Sequence, residues 1–228
     1  ANDIALDANG RAFIAGYSAS EWGNPITGYA GGSQDAFVAK VDLSMTFTDV
    51  PASYWAWPFI QRLSNAGVTG GCSANPVMYC PETPVNRAQM AVFLLRGRHG
   101  SAYNPPAASG TVFRDIPATH WAAAWIEQLQ AEGITTGCGN GNYCPDTTVT
   151  RDQMAVFLLR ARYGSSYAPP TAIGSFADVP VNYWAAAWIE QLAREGITTG
   201  CGGGNYCPLA MTNRAQMAVF LVKTFDLP

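Results

Sequence analysis

One pentapeptide pattern occurs three times in the chain, as Phe47-Thr48-Asp49-Val50-Pro51, Phe113-Arg114-Asp115-Ile116-Pro117 and Phe176-Ala177-Asp178-Val179-Pro180. Self-similarity at a fixed period means one supersecondary unit used repeatedly, none of which buries its apolar face alone. The register holds to the end of each unit. Trp55 matches Trp121 and Trp184, Phe59 matches Trp125 and Trp188, and Gly67-Val68-Thr69 matches Gly133-Ile134-Thr135 and Gly196-Ile197-Thr198. Tyr79-Cys80-Pro81 then matches Tyr143-Cys144-Pro145 and Tyr206-Cys207-Pro208, followed each time by Arg-x-Gln-Met-Ala-Val-Phe-Leu.

Each unit reads as helix, loop, helix. In the second unit Trp121, Trp125 and Leu129 lie at i, i+4 and i+8 with Ala122 and Ile126 beside them, a wide apolar face, and Gly133 ends the helix. The second helices open at Asn86, Thr150 and Asn213, each followed three residues later by Gln89, Gln153 or Gln216. That spacing predicts a capping box, in which both side chains satisfy N–H groups of the first turn. Pro pairs in Ser101-Ala102-Tyr103-Asn104-Pro105-Pro106 and Ser166-Tyr167-Ala168-Pro169-Pro170 separate the copies. The units are therefore 46–108, 109–171 and 172–228. The fold class expected is mainly α, with the three helix-loop-helix repeats packed about a pseudo-threefold axis as a bundle, or else stacked as a short solenoid.

Six cysteines fall as three local pairs, Cys72/Cys80, Cys138/Cys144 and Cys201/Cys207. Structural zinc wants closely spaced ligands with nearby His, whereas His99 and His120 have no counterpart in the third copy. Disulfides and an oxidising, extracellular setting are expected, with no metal and no cofactor. Closing so small a ring is worth roughly 2 kcal/mol.

Residues 1–45 obey another rule. Asp3-Ile4-Ala5-Leu6-Asp7 and Ala12-Phe13-Ile14-Ala15-Gly16-Tyr17 alternate with period two around Asn9-Gly10, a preferred hairpin turn, and Asp35-Ala36-Phe37-Val38-Ala39-Lys40-Val41 adds another strand. This small antiparallel β segment resembles a single bacterial β-propeller repeat. One blade has open edges and little core, so it is expected to pack on the helical part, to complete a neighbouring subunit's sheet, or to be the remnant of a propeller.

Composition removes several functions. The 228 residues are 48% apolar and 13% charged, enough for a core. A net charge of −3 with 13 scattered Lys and Arg gives no basic stripe for nucleic acid. No apolar run approaches the ~20 residues that span a bilayer. The start, Ala1-Asn2-Asp3-Ile4, has neither Met nor a signal-peptide pattern and reads as a mature or excised piece of a longer chain. Neither a nucleophile with its base nor a phosphate loop stands out, so the chain reads as non-catalytic.

Phe-x-Asp-Val-Pro, then Trp-Ala, Ile-x-x-Leu, Gly-Ile-Thr-Thr-Gly and [Thr/Asn]-Arg-x-Gln-Met-Ala, in register three times, resembles the S-layer homology (SLH) domain over about 180 residues. The resemblance implies one pseudo-trimer with grooves between its prongs, holding a bacterial surface protein non-covalently to a cell-wall polysaccharide that often carries acidic pyruvyl groups. The family's ligand-contacting arginine maps onto Arg87, Arg151 and Arg214. An Arg fork beside unpaired N–H groups at a helix N-terminus is suited to a carboxylate, and a structural ion pair with the Asp of Phe-x-Asp-Val-Pro is the alternative. Trp55, Trp121 and Trp184 are either sugar-stacking residues or, as aromatics on an apolar helix face, core. Asp49, Asp115 and Asp178 read as cap or turn residues. Where the family has Glu, this chain has Gln89, Gln153 and Gln216. The other reading is a structural subunit of a surface layer or extracellular filament, in which residues 1–45 pair with another copy.

Overall fold

The computed structural model describes residues 3–6, 11–18, 35–42 and 46–228, and the chain divides into two compact units, one ending at Met45 and the other spanning Thr46–Leu227. In the first unit β1 (Asp3–Leu6), β2 (Arg11–Ser18) and β3 (Asp35–Asp42) form an antiparallel sheet in the order β1-β2-β3. Leu6 pairs with Ala12 and Ser18 with Asp35, so the period-two alternation does mark strands. The Asn9-Gly10 turn lies outside the described residues.

The second unit is helical. The first helices of the repeats are α1 (Trp57–Asn65), α3 (Ala123–Ala131) and α5 (Ala186–Arg194), and the second helices are α2 (Arg87–His99), α4 (Arg151–Tyr163) and α6 (Arg214–Phe225). A two-residue hairpin, β4 (Ser73–Ala74) with β5 (Val77–Met78), fills the longer loop of the first repeat. The second helices α2, α4 and α6 pack on one another, and each also packs on the first helix of the following repeat: α2 on α3, α4 on α5, α6 on α1. The last pairing closes the ring, which selects the pseudo-threefold bundle over the solenoid.

The segments entering the second helices hold the same symmetry in their backbones. Val85 N–H donates to Thr212 O (2.9 Å), Thr212 N–H to Val149 O (2.9 Å) and Val149 N–H to Val85 O (3.0 Å), a closed three-membered cycle. Met90, Leu94, Met154, Leu158, Met217 and Leu221, at matching positions of the three second helices, are all fully buried. Because α2, α4 and α6 meet other helices on several sides, their buried residues are not confined to one stripe.

Two local expectations are corrected. The first helices begin later than the aromatic spacing suggests: α3 starts at Ala123, and Trp121 stands in the preceding turn, where His120 N–H bonds Pro117 O and Ala123 N–H bonds His120 O. The buried stripe runs through Ala122, Ile126 and Leu129, one residue round from the indoles, because two alanines allow close helix approach where Trp121 is too bulky. The capping box is complete only at Asn86, where Gln89 N–H donates to Asn86 Oδ1 (2.9 Å) and Asn86 N–H to Gln89 Oε1 (3.3 Å). Asn213 caps Gln216 N–H alone (2.9 Å), and Thr150 caps nothing, because Asp152 lies within reach and its Oδ1 takes Gln153 N–H (2.7 Å). The first helices end as expected, with Gly67, Gly133 and Gly196 at φ 68–69°, a left-handed exit that favours glycine.

Candidate functional site

All six cysteines are joined, Cys72–Cys80, Cys138–Cys144 and Cys201–Cys207, each pair with Cα atoms 6.0 Å apart, which decides against the zinc reading. Each ring presents the tyrosine before its second cysteine to the previous repeat. Arg87 Nε–H donates to Tyr143 O (2.7 Å) while Tyr143 Oη donates to Arg87 O (2.8 Å). The pattern repeats as Arg151 with Tyr206 (2.9 and 2.8 Å) and Arg214 with Tyr79 (2.6 and 2.8 Å). Repeat 1 thus grips repeat 2, repeat 2 grips 3, and repeat 3 grips 1.

Asp49, Asp115 and Asp178 sit behind those tyrosines. Asp178 accepts Tyr206 N–H and Cys207 N–H at 2.7 Å each, and Asp115 and Asp49 do the same for Tyr143/Cys144 and Tyr79/Cys80 at 2.7–2.8 Å. The alternative of a direct Arg–Asp pair is corrected: the two charges approach one tyrosine backbone from its N–H and C=O sides. The reading of unpaired N–H donors beside Arg is corrected as well. Arg151 N–H bonds Ala210 O (2.9 Å) and Asp152 N–H bonds Pro208 O (3.0 Å), and the other two helices donate in the same way to Thr147 O with Pro145 O and to Thr83 O with Pro81 O. The neighbouring repeat has already satisfied them.

The arginines are nearly enclosed, with 4–5% of their surface exposed. Their guanidinium carbons stack at 4.7 Å over Tyr143, Tyr206 and Tyr79, and at 5.4–5.6 Å over Phe157, Phe220 and Phe93. Burial lowers the arginine pKa values from their usual range, while the tyrosines and aspartates raise them again; arginine stays charged. Burial pushes the three tyrosine phenols upward, with the arginines pulling the other way, so they remain neutral donors. The Nη2 atom of each arginine is buried without a hydrogen-bond partner.

The tryptophans are not core. Trp55, Trp121 and Trp184 are 58, 65 and 58% exposed. Trp55 and Arg151 come together in a groove of about 160 Å³ whose wall is Ile197, Thr198, Thr199 and Gly200 and whose floor is Gln216, Val219, Phe220 and Lys223 on α6. All three repeats contribute: Trp55 the first, Arg151 the second, the remainder the third. Arg214 over Phe93 and Arg87 over Phe157 repeat the Arg151–Phe220 stack about the pseudo-threefold axis.

Sequence reading passed over two contributors. The threonines of Gly-Ile-Thr-Thr-Gly stood in the repeated motif and only their role was missed. Lys223 was hidden because its counterparts are Arg96 and Arg160, nine residues beyond each candidate arginine, so the repeated property is the charge and not the residue. Arg96 and Arg160 lie over Trp125 (5.3 Å) and Trp188 (5.6 Å), whereas Lys223 Nζ donates to Gly196 O (2.8 Å).

The family profile described as the S-layer homology domain matches residues 46–91, 112–155 and 175–218. The chain belongs to the S-layer homology family. Among its S-layer homology relatives, "S-layer protein EA1" of Bacillus anthracis is 32% identical over 54% of this chain and 14% of its own length. An endoglucanase of a Bacillus species is 35% identical over 50% of this chain and 11% of the enzyme. A cellulosome-anchoring protein of Acetivibrio thermocellus is 22% identical over 65% of this chain and 34% of its own length. The chain therefore spans between about a tenth and a third of these relatives.

Proposed function

We propose that residues 46–228 are a non-catalytic cell-surface anchor that binds an acidic, pyruvylated cell-wall polysaccharide in the grooves between repeats. The observation that carries this reading is the groove of Trp55, Arg151, Thr198–Gly200 and Lys223, lined by an arginine whose Nη2 is buried with no hydrogen-bond partner in the protein. Two cations and no carboxylate line it, and a charged donor left unpaired favours an anionic oxygen as its partner. The exposed indole of Trp55 offers a sugar ring an apolar face beside that charge. Relatives named as S-layer, cell-surface and cellulosome-anchoring proteins, together with three disulfides, support an extracellular location at the cell surface. By the same carry-over, Arg87 with Trp184 and Arg214 with Trp121 serve the other two grooves.

The test is sedimentation of the chain with purified cell walls. Wild-type protein should pellet with walls, and Trp55→Ala with Lys223→Ala should release most of it while leaving the fold intact. Equal pelleting of the double variant would refute a role for this groove.

The sheet of the first unit supports a subsidiary reading. Among the described residues β1 and β3 each have β2 as their one strand partner, and such strand edges are of the kind that pair with a neighbouring blade or another copy. Deleting residues 1–45 is then expected to abolish any assembly of purified chains and to leave wall binding unchanged.

A further inference from the structure

We infer that each disulfide is a positioning element of a binding groove, tying the groove's threonine wall to the tyrosine that holds the ligand arginine; the inference rests on the anchoring reading above.

The third repeat shows the arrangement. Thr198, Thr199 and Gly200 line the groove, and Cys201 follows directly. At the other end of the ring Cys207 follows Tyr206, whose carbonyl takes the Arg151 Nε–H at 2.9 Å. One covalent link therefore joins the wall to the residue that sets where the guanidinium lies. The ring's two limbs are pressed together: Cys201 N–H bonds Asn205 O (2.8 Å), and a Cβ on Gly200 would sit 2.2 Å from that same oxygen. Thr198 Oγ1 accepts Gly200 N–H (3.1 Å), so the wall is continuous with the ring. Asp178 pins the far limb through Tyr206 N–H and Cys207 N–H.

The other rings repeat this arrangement. Cys72–Cys80 joins the Thr69–Gly71 wall to Tyr79, which holds Arg214, and Cys138–Cys144 joins the Thr135–Gly137 wall to Tyr143, which holds Arg87. Each wall and the arginine it faces belong to different repeats, and the disulfide-closed ring, glycine-rich in the second and third repeats, is the segment between them. A soft ring loses register between wall and guanidinium even when the helical core is unchanged; pre-organising it cuts the ordering cost of binding. The disulfides thus act on affinity as well as on stability.

Serine substitution of one pair in the full chain separates these roles. In Cys201→Ser/Cys207→Ser the Arg151 Nε–H, followed by NMR hydrogen exchange, should exchange about tenfold faster, and affinity for native wall polymer should fall about tenfold. Arg87 Nε–H and Arg214 Nε–H in the same molecule should be unchanged, which reports that the bundle is folded. In Cys72→Ser/Cys80→Ser the accelerated group should be Arg214 instead. Unchanged exchange at Arg151, or equal acceleration of all three arginines, overturns the inference, as does faster exchange at Arg151 with undiminished affinity. Absence of wall-polymer binding by the wild type would sink the anchoring reading, while the exchange measurement still decides whether the ring holds its arginine.

Discussion

Tyr206 and Arg151 exchange hydrogen bonds across a repeat boundary, the phenol donating to the arginine carbonyl at 2.8 Å and the guanidinium Nε–H returning to the tyrosine carbonyl at 2.9 Å. Two further copies of this pair close the ring of three repeats. Removing one phenol takes from a buried helical carbonyl its donor from the neighbouring repeat. Tyr206→Phe is therefore expected to cost about 0.5–1.5 kcal/mol in denaturant unfolding, with Tyr79→Phe and Tyr143→Phe alike; a loss below a few tenths for all three would mean that the pairs do not hold the ring.

Exposure separates the proposed binding residues from the core. Trp55→Ala removes an indole that is mostly in solvent and should change stability by about 0.5 kcal/mol or less, while weakening wall binding about tenfold or more. Met154→Ala, at a fully buried position of α4, should cost about 2–5 kcal/mol. Thermal melts of the two variants beside a wall-pelleting assay distinguish them; a large loss of stability in Trp55→Ala would return the tryptophans to the core.

The glycines of the first loop carry opposite expectations at adjacent positions. A Cβ on Gly70 meets nothing within 4 Å, whereas one on Gly71, at φ +96°, would lie 2.2 Å from Met78 O. Gly70→Ala should be neutral and Gly71→Ala should lower stability by about 2 kcal/mol or more. Equal melting temperatures for the two variants would contradict this loop geometry.

Acid stability follows from two carboxylates that hold the linkers. Burial raises the pKa of Glu190, but N–H donation from Ser175, Ile173 and Gly174, aided by Arg194, outweighs it and leaves the pKa below the usual value. Glu127 is lowered in the same way by Ser109 and Gly110. A lowered folded pKa stabilises the fold at pH above the unfolded value of about 4.3, and that stability is lost as pH falls through the folded pKa. Melting temperature should therefore drop below about pH 4.5, and Glu190→Gln should be less stable at neutral pH with a shallower acid limb. An unchanged acid limb in Glu190→Gln would rule out this contribution.

What the sequence made legible was local or periodic. The repeat register, the pairing of neighbouring cysteines, the glycine exit at Gly133 and the strands of residues 1–45 each depend on residues close in the chain. What it hid depends on partners far away. Asp152 displaces Thr150 as a cap while also accepting from Tyr183 Oη in the next repeat (2.6 Å), and the N–H groups expected to be open beside Arg151 are taken by Ala210 and Pro208. The indole of Trp121 lay one residue from the buried stripe, an angular error that spacing alone does not resolve in a helix whose start is unknown. Arg151, Trp55 and Lys223 lie on three different repeats, so no single copy of the motif displays the groove.

The anchoring claim is tested most directly by titrating the full chain calorimetrically with purified wall polysaccharide, in its native form and after removal of its pyruvyl groups. Saturable binding of the native polymer, lost or weakened at least about tenfold on depyruvylation, is the expected result. Equal affinity for both polymers would contradict the pairing of a buried arginine with an acidic sugar substituent.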